Sequence, residues 1–151
     1  MIKTLHQSKE EGITSNRTVR LLICDDEARI REALQSLLST YGLSKPDDSS
    51  PQIEVVGNAA NGREAIQMVE KYQPDVVLMD AFMPVMNGLE ATRAIKAIEP
   101  QVKVIMLTLY SELQRVAKTT GADAFLVKGC PAEKLIDTIL TISKTDTGFA
   151  R

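Results

Sequence analysis

The sequence is short of the residues that many metal and nucleophilic sites use. It contains one histidine, His6, and two cysteines, Cys24 and Cys130. A single histidine excludes a multi-histidine metal site and a histidine-based catalytic triad. Two cysteines are too few for a disulfide scaffold or a zinc–cysteine cluster. Two buried thiols in a reducing cytosol are the simplest interpretation of the cysteines.

The chain also lacks a charge excess and a long apolar run. Lysine and arginine number 18, aspartate and glutamate number 20, and the net charge is −2. A protein that grips phosphate backbones is normally basic, so we predict no direct DNA binding by this chain. No segment approaches the roughly 20 apolar residues of a membrane helix, and the polar N-terminus has no signal-peptide core. We therefore expect no membrane association and a cytoplasmic location.

What the chain does contain is an alternation of apolar runs and amphipathic stretches. The apolar runs predict five buried strands, at residues 19–24, 53–59, 76–79, 104–107 and 124–127. A stretch with the apolar spacing of a helix follows each run. Strands that are apolar on both faces need helices on both faces. The pattern therefore predicts a doubly wound α/β sandwich on a five-stranded parallel sheet, which we expect in the order 2-1-3-4-5.

The 151 residues correspond to about one domain. We expect a flexible N-terminal tail at 1–18, the folded domain at 19–142, and a C-terminal tail or the start of a linker at 143–151. The two flanking pieces are shorter than the roughly 50 residues of a separate domain. Prolines and a serine–aspartate cluster predict a surface loop at 42–52.

Capping residues mark two of the predicted helices. Asn61 and Glu64 have the spacing of a capping box, in which each side chain bonds to the backbone of the other residue. Ser111 and Gln114 have the same spacing. We therefore predict that helices begin just after Asn61 and Ser111.

Polar residues stand where the predicted strands end. Asp25 and Asp26 follow the first strand, Asp80 the third, Thr108 the fourth and Lys128 the fifth. Ligands of an open parallel sheet bind at the carboxyl ends of its strands, so we expect these side chains to meet at one rim. Three close carboxylates share protons or hold a cation, and oxygen ligands without histidine or cysteine favour Mg²⁺ or Mn²⁺.

This set of residues suits phosphoryl transfer, which depends on positioning and charge neutralisation. An aspartate can act as the nucleophile and become an acyl phosphate. Asp80, on the middle strand of the cluster, is the natural candidate. Each residue also has an ordinary structural interpretation: the aspartate pair or Thr108 as a helix cap, Asp80 as a turn residue, and Lys128 as a solvated strand end.

Four segments resemble the receiver domain of response regulators in two-component signalling: LLICDDE, VVLMDAFMPVMNG, VIMLT and GADAFLVKG. The resemblance covers residues 19–142 and agrees in type, order and strand-end position. It implies a (βα)5 flavodoxin-like fold. The first helix and GADAFLVKG are most similar to the LuxR/NarL-type subfamily, whose members usually carry a helix-turn-helix output domain.

The resemblance implies a phosphorylation site with a divalent cation. Asp80 matches the phospho-acceptor, which receives its phosphoryl group from a histidine kinase or phosphotransfer protein. Asp25 and Asp26 match the acidic pair that organises Mg²⁺ (or Mn²⁺), and Asp26 matches the direct ligand. The backbone carbonyl of Phe82 would complete the metal site. The family does not act as a classical enzyme, because it catalyses only its own phosphorylation and dephosphorylation.

Three other positions carry the switch that the family uses. Lys128 matches the lysine that pairs with the carboxylate and then with the phosphoryl group. Thr108 matches the switch hydroxyl, and Phe125 the switch aromatic, although a buried core aromatic is an equally simple interpretation of Phe125. The resemblance implies that the face of the fourth helix, fifth strand and fifth helix changes on phosphorylation, with homodimerisation as one possible consequence.

The output of such a switch stays open at this point. It is either control of transcription through an output domain absent from this chain or protein–protein contact by a stand-alone receiver. We also consider two other classes. An aspartyl-phosphate phosphohydrolase would have a second aspartate two residues after the nucleophile, where this chain has Phe82. A flavin-binding module would have a hydroxyl-rich loop after the first strand, where Asp25 and Asp26 would repel phosphate.

Some positions depart from the family pattern. Leu109 replaces a very small residue after the switch hydroxyl and could narrow the path of the phosphodonor. Phe82 and Tyr110, each two residues after a site residue, should flank the site and hinder an attacking water. We therefore predict a long-lived phosphoryl group.

The turn after Pro84 ends at Gly88, for which we predict a backbone conformation closed to other residues.

Overall fold

The computed structural model describes residues 17–44 and 47–144. The predicted tails at 1–18 and 143–151 lie almost entirely outside the described residues. The strands are β1 (Thr18–Cys24), β2 (Gln52–Ala59), β3 (Val76–Met79), β4 (Lys103–Thr108) and β5 (Ala124–Val127). The helices are α1 (Ala28–Ser44), α2 (Gly62–Tyr72), α3 (Gly88–Ile98), α4 (Gln114–Thr119) and α5 (Ala132–Lys144).

The five strands form one parallel sheet in the order β2-β1-β3-β4-β5, as predicted. Every residue of β3 and β4 is buried, so these inner strands are covered on both faces. The sequences of such strands are continuous apolar runs because helices exclude water from both sides of a parallel sheet. The doubly wound (βα)5 architecture is therefore confirmed.

Side chains of alternate strand residues point into two separate cores. One core joins Val77 and Met79 of β3 to buried residues of α2, α3 and α4, such as Ala65 and Ile95. The other joins Leu78 of the same strand to buried residues of α1 and α5. The period-2 alternation of a strand thus assigns three helices to one face and two to the other.

Helix caps agree only in part with the sequence prediction. Asn61 caps α2 by accepting a hydrogen bond from the Glu64 amide at 2.9 Å, but the Glu64 carboxylate accepts from the Ala60 amide instead of returning to Asn61. The predicted cap at Ser111 is wrong. Residues Ser111–Leu113 form a one-turn 3₁₀ helix, and α4 begins at Gln114 without a side-chain cap.

Two boundaries differ from the prediction. Helix α1 continues through Gly42 to Ser44, so the connection to β2 is shorter than the predicted loop at 42–52. The predicted domain at 19–142 is also slightly too short, because β1 begins at Thr18 and α5 ends at Lys144. Near these ends, the Arg17 guanidinium donates to the Ser143 carbonyl and hydroxyl at 3.1 and 3.0 Å.

Among the described residues, no helix is long and apolar enough to cross a membrane.

Candidate functional site

Backbone hydrogen bonds extend the sheet one residue past its strands and fix the predicted site residues there. The Asp25 amide donates to the Ala59 carbonyl at 3.0 Å, which ties the end of β1 to β2. The Asp80 amide donates to the Cys24 carbonyl at 3.0 Å, which ties the end of β3 to β1. Because neighbouring strands end at the same level, Asp25 and Asp80 project from one rim, as predicted.

The same ladder positions the lysine at the end of β5. The Lys128 amide donates to the carbonyl of Thr108, the last residue of β4, at 2.8 Å. The side chain of Lys128 then reaches the acidic residues that follow β1 and β3, with Nζ 2.6 Å from Asp25 Oδ2 and 3.4 Å from Asp80 Oδ1. Residues about a hundred positions apart in the sequence are therefore in direct contact.

Three carboxylates form an acidic cluster at this rim. Asp25, Asp26 and Asp80 each offer an oxygen within 4.8 Å of the other two. Their environments differ, because Asp25 and Asp80 are buried whereas Asp26 is exposed. Three negative charges so close together repel one another unless cations compensate them.

Asp25 uses both of its carboxylate oxygens within the protein. Oδ1 accepts from the Glu27 amide at 2.9 Å, and Oδ2 accepts from Lys128 at 2.6 Å. Its backbone carbonyl accepts from the Arg31 guanidinium at 2.6 Å. Asp25 is thus a fixed framework residue, and Asp26 is the acidic residue whose side chain extends to solvent.

Sequence reasoning did not identify Arg31. It lies one and a half turns after Asp25, within α1, and only the curl of the β1–α1 connection brings its guanidinium back to the Asp25 carbonyl. The signal in the sequence was an arginine six residues after Asp25, with another arginine, Arg29, two residues before it. That spacing is too common to be informative without the loop geometry.

The electrostatics of the cluster follow from burial and from Lys128. Burial, with repulsion from Asp25, outweighs the attraction of Lys128 and raises the pKa of Asp80 to about 6. Burial alone would lower the pKa of Lys128, but its contacts with Asp25 and Asp80 raise it instead. Among the described residues, Lys128 is the only cation within ion-pair distance of the three carboxylates, so their negative charge is only partly compensated.

Thr108 and Phe125 lie where the sequence predicted them. Thr108 is fully buried, and its hydroxyl accepts from the Tyr110 amide at 3.4 Å. Phe125 pairs with Met106 across the β4–β5 ladder and packs, half-buried, against the core that α4 covers. Each position is compatible with a switch role and with a structural one.

An aromatic pair joins the connections that follow β3 and β4. The rings of Phe82 and Tyr110 meet edge to face, with centroids 5.1 Å apart and an interplanar angle of 78°. Both residues are about half exposed, and they follow Asp80 and Thr108 by two residues each. Leu109 is 65% exposed, so its side chain is directed to solvent for the most part.

Gly88 is needed at its position, but the backbone conformation that we predicted for it is wrong. Its φ lies outside the positive range that favours glycine, and what glycine provides here is space. A Cβ on Gly88 would lie 1.8 Å from the Asp80 carbonyl oxygen, which no side chain could accommodate. The Gly88 amide donates to the Ala81 carbonyl at 2.8 Å, so the start of α3 lies directly against the residue that follows Asp80.

A five-stranded parallel sheet whose carboxyl rim carries three carboxylates and a paired lysine defines a class of α/β domain suited to metal-assisted phosphoryl chemistry. The comparison with known families agrees with this assignment. The sequence pattern of the family described as the response regulator receiver domain matches residues 21–140. The chain belongs to the response regulator receiver family.

Its relatives include two response regulators. The chain is 37% identical over 134 residues to the response regulator protein VraR of Staphylococcus aureus (strain Mu3), covering 87% of this chain and 60% of that protein. It is 34% identical over 136 residues to the transcriptional regulatory protein DegU of Brevibacillus brevis, covering 89% of this chain and 53% of that protein. The chain thus spans little more than half of each relative.

Solved structures agree with the fold and with the subfamily. A LuxR-family DNA-binding response regulator from Staphylococcus aureus superposes with a TM-score of 0.73 at 28% identity, covering 83% of this chain and 99% of that one. The response regulator domain of Thermotoga maritima CheB gives 0.73 at 31% identity, with coverages of 86% and 99%. The predicted resemblance to LuxR-type receivers is confirmed.

Proposed function

We propose that this receiver is a phosphorylation switch in which Asp80 accepts a phosphoryl group from the phosphohistidine of a histidine kinase or phosphotransfer protein. The observation that supports this most directly is the position of Asp80. Its carboxylate lies in the acidic cluster with Lys128 3.4 Å away, at the rim of a receiver fold. A carboxylate in this setting is partly desolvated, and the nearby ammonium favours its ionised form, which is the nucleophile.

The acidic cluster fits a divalent cation. Its three carboxylates approach within 4.8 Å of one another and provide only oxygen ligands, which Mg²⁺ and Mn²⁺ prefer. We assign Asp26 and Asp80 as direct ligands with the backbone carbonyl of Phe82, and Asp25 as the residue that orients the group. When bound, the ion would neutralise phosphoryl oxygens and offset the repulsion among the carboxylates.

The chemical step requires little of the protein beyond positioning. An Asp80 oxygen forms a bond to phosphorus while the bond from phosphorus to the donor imidazole breaks, and the imidazole nitrogen keeps the electron pair. The donor ring carries a proton on its other nitrogen and therefore leaves as neutral histidine, and the product on this chain is an acyl phosphate on Asp80. Lys128 balances the added negative charge, and the Thr108 hydroxyl donates a hydrogen bond to a phosphoryl oxygen.

The readout in this proposal is the face of α4, β5 and α5. Movement of Thr108 toward the phosphoryl group frees space beside β4, into which Phe125 turns, and the surface of α4 shifts with it. Val116 and Val127 on this face are already 44% and 37% exposed, so a partner or a second copy of the chain would find apolar contacts there.

The output that we favour is control of transcription through a domain outside this chain. The names of two similar proteins support it, since one is a transcriptional regulatory protein and another is a DNA-binding response regulator. A stand-alone receiver that acts by protein contact is the second candidate. A phosphohydrolase is disfavoured because Phe82 occupies the place of the general acid, and we assign the chain no catalysis beyond its own phosphorylation and dephosphorylation.

Incubation of the protein with acetyl phosphate and Mg²⁺, followed by intact-mass measurement, tests the proposal. The wild type should gain one phosphoryl group, Asp80→Asn should gain none, and chelation of Mg²⁺ should prevent labelling. The matched control is Asp48→Asn, which neutralises an exposed aspartate on another part of the surface. Undiminished labelling of Asp80→Asn would exclude Asp80 as the acceptor.

A further inference from the structure

The loop between β3 and α3, residues 81–87, is held by a contact with another element, helix α2. The Gly62 amide, at the start of α2, donates to the Met86 carbonyl at 2.8 Å. A Cβ on Gly62 would lie 2.6 Å from the same carbonyl oxygen and 3.0 Å from the Asn87 carbonyl oxygen. The loop therefore rests directly on the backbone of α2, and only glycine permits this approach.

The conformation of the loop needs such an anchor. Val85 has a φ of 69°, in the left-handed region that β-branched residues avoid. The Met86 amide donates to the Pro84 carbonyl at 2.7 Å, which closes a three-residue γ-turn around Val85. A strained turn of this kind persists only when the surrounding structure holds it. The Gly62–Met86 contact holds the last residue of this turn.

Helix α2 is a rigid support for this contact. Ala65 and Val69 are fully buried in the core, and Asn61 caps the helix. Alanine is a better helix former than glycine, so helix stability alone would favour alanine at position 62. Gly62 has no positive φ, so backbone conformation does not require glycine either. The remaining reason for glycine at position 62 is the close approach of its backbone to Met86.

We infer that Gly62 is a positioning residue for the phosphorylation site, although it lies on α2 whereas the acidic residues follow β1 and β3. Its amide and its lack of a side chain hold the far end of the β3–α3 loop. The near end of this loop begins next to Asp80 and carries Phe82. The inference rests on the proposed function, since the loop matters only if this rim binds Mg²⁺ and takes up a phosphoryl group.

The variant Gly62→Ala tests the inference, with Gly42→Ala as a matched control. Both replace a helical glycine by alanine, but a Cβ at Gly42 meets nothing within 4 Å. Addition of MgCl₂ to the unphosphorylated proteins, followed by backbone amide NMR, gives the dissociation constant. We expect Gly62→Ala to weaken Mg²⁺ binding by about tenfold, as is common when a group that orients a metal site is disturbed. Gly42→Ala should bind Mg²⁺ as the wild type does.

Two readouts separate positioning from damage to the fold. Hydrogen exchange at Val69 reports whether α2 is intact, and labelling by acetyl phosphate reports the chemistry. We expect unchanged protection at Val69 and slower labelling in Gly62→Ala. Equal Mg²⁺ affinity in Gly62→Ala and wild type, with the wild type labelled, would overturn the inference and leave the proposed function intact. Weaker binding with lost protection at Val69 would also overturn it, because the helix would then be the cause.

A measurement on the wild type applies even if the variant does not fold. Exchange of the Gly62 amide hydrogen, which is donated to Met86, should slow further when Mg²⁺ is added, because an ordered loop protects it better. No change on addition of saturating Mg²⁺ would overturn the inference. A wild-type protein that neither binds Mg²⁺ nor accepts a phosphoryl group would overturn the proposed function and the inference together.

Discussion

Neutralising Asp80 should make the metal-free domain more stable, although it removes the proposed acceptor. The ionised Asp80 carboxylate is 10% exposed and lies beside Asp25 and Asp26. Asparagine has nearly the same shape without the charge. The substitution Asp80→Asn therefore removes repulsion and a desolvation cost, while Lys128 keeps its shorter contact, 2.6 Å, with Asp25.

The magnitude follows from the raised pKa. A carboxyl group whose pKa rises from 3.8 to about 6 pays about 3 kcal/mol for being ionised in the folded state. This figure already includes the attraction of Lys128, whose Nζ lies 3.4 Å from Asp80, and solvent at the open rim screens part of the cost. We expect a net stabilisation of about 1–2 kcal/mol above pH 6, measured by urea unfolding with a chelator present.

The pH dependence gives a second check of the same reasoning. The pKa of Asp80 is higher in the folded than in the unfolded chain, so protonation favours the folded state. The wild type therefore recovers stability as the pH falls through about 6 toward 3.8, and the advantage of Asp80→Asn should shrink over that interval. A variant less stable than the wild type above pH 6, or an advantage independent of pH, would refute the electrostatic argument.

Three further outcomes follow from the structure. Replacing Phe82 by asparagine together with Tyr110 by glutamate should shorten the half-life of the phosphoryl group after removal of the donor, because the aromatic pair no longer shields the site; an equal half-life would contradict the shielding. Asn87→Ala should cost about 1 kcal/mol in urea unfolding, since Asn87 caps α3 by accepting from the Glu90 amide at 2.8 Å; an unaltered midpoint would exclude a stabilising cap. Lys128→Gln should destabilise the metal-free domain by about 2 kcal/mol, because a buried Asp25 loses its partner at a rim that solvent reaches; added Mg²⁺ should restore part of this loss, and a stability unaffected by the substitution would contradict the ion pairs.

The fold and the rim could be predicted because they depend on patterns local to each segment. Strands β3 and β4 are buried on both faces, and such strands are recognisable as uninterrupted apolar runs. Their carboxyl ends are marked by Asp80 and Thr108. Once a parallel sheet is assumed, all strand ends lie on one rim, so the meeting of Asp80 with Lys128 follows from topology without any knowledge of distance.

Contacts that depend on loop geometry could not be predicted in this way. The donation from Arg31 to the Asp25 carbonyl requires the path of the β1–α1 connection. The approach of Gly62 to Met86 requires the position of the β3–α3 loop relative to α2. The cap expected at Ser111 failed for a related reason: a serine followed by a glutamine three residues later also fits a 3₁₀ turn, and the chain takes that turn before α4 begins.

The two adjacent aspartates at the end of β1 are not equivalent, and the difference follows from their hydrogen bonds. Asp25 is buried, and both of its oxygens accept from the protein, one from the Glu27 amide and one from Lys128. Direct binding of a cation would compete with these bonds. Asp26 is exposed and lies within the same cluster, so it can bind a cation without leaving a buried donor unpaired. Asp25 therefore suits a role in orienting Lys128 and cation-bound water, whereas Asp26 suits direct coordination.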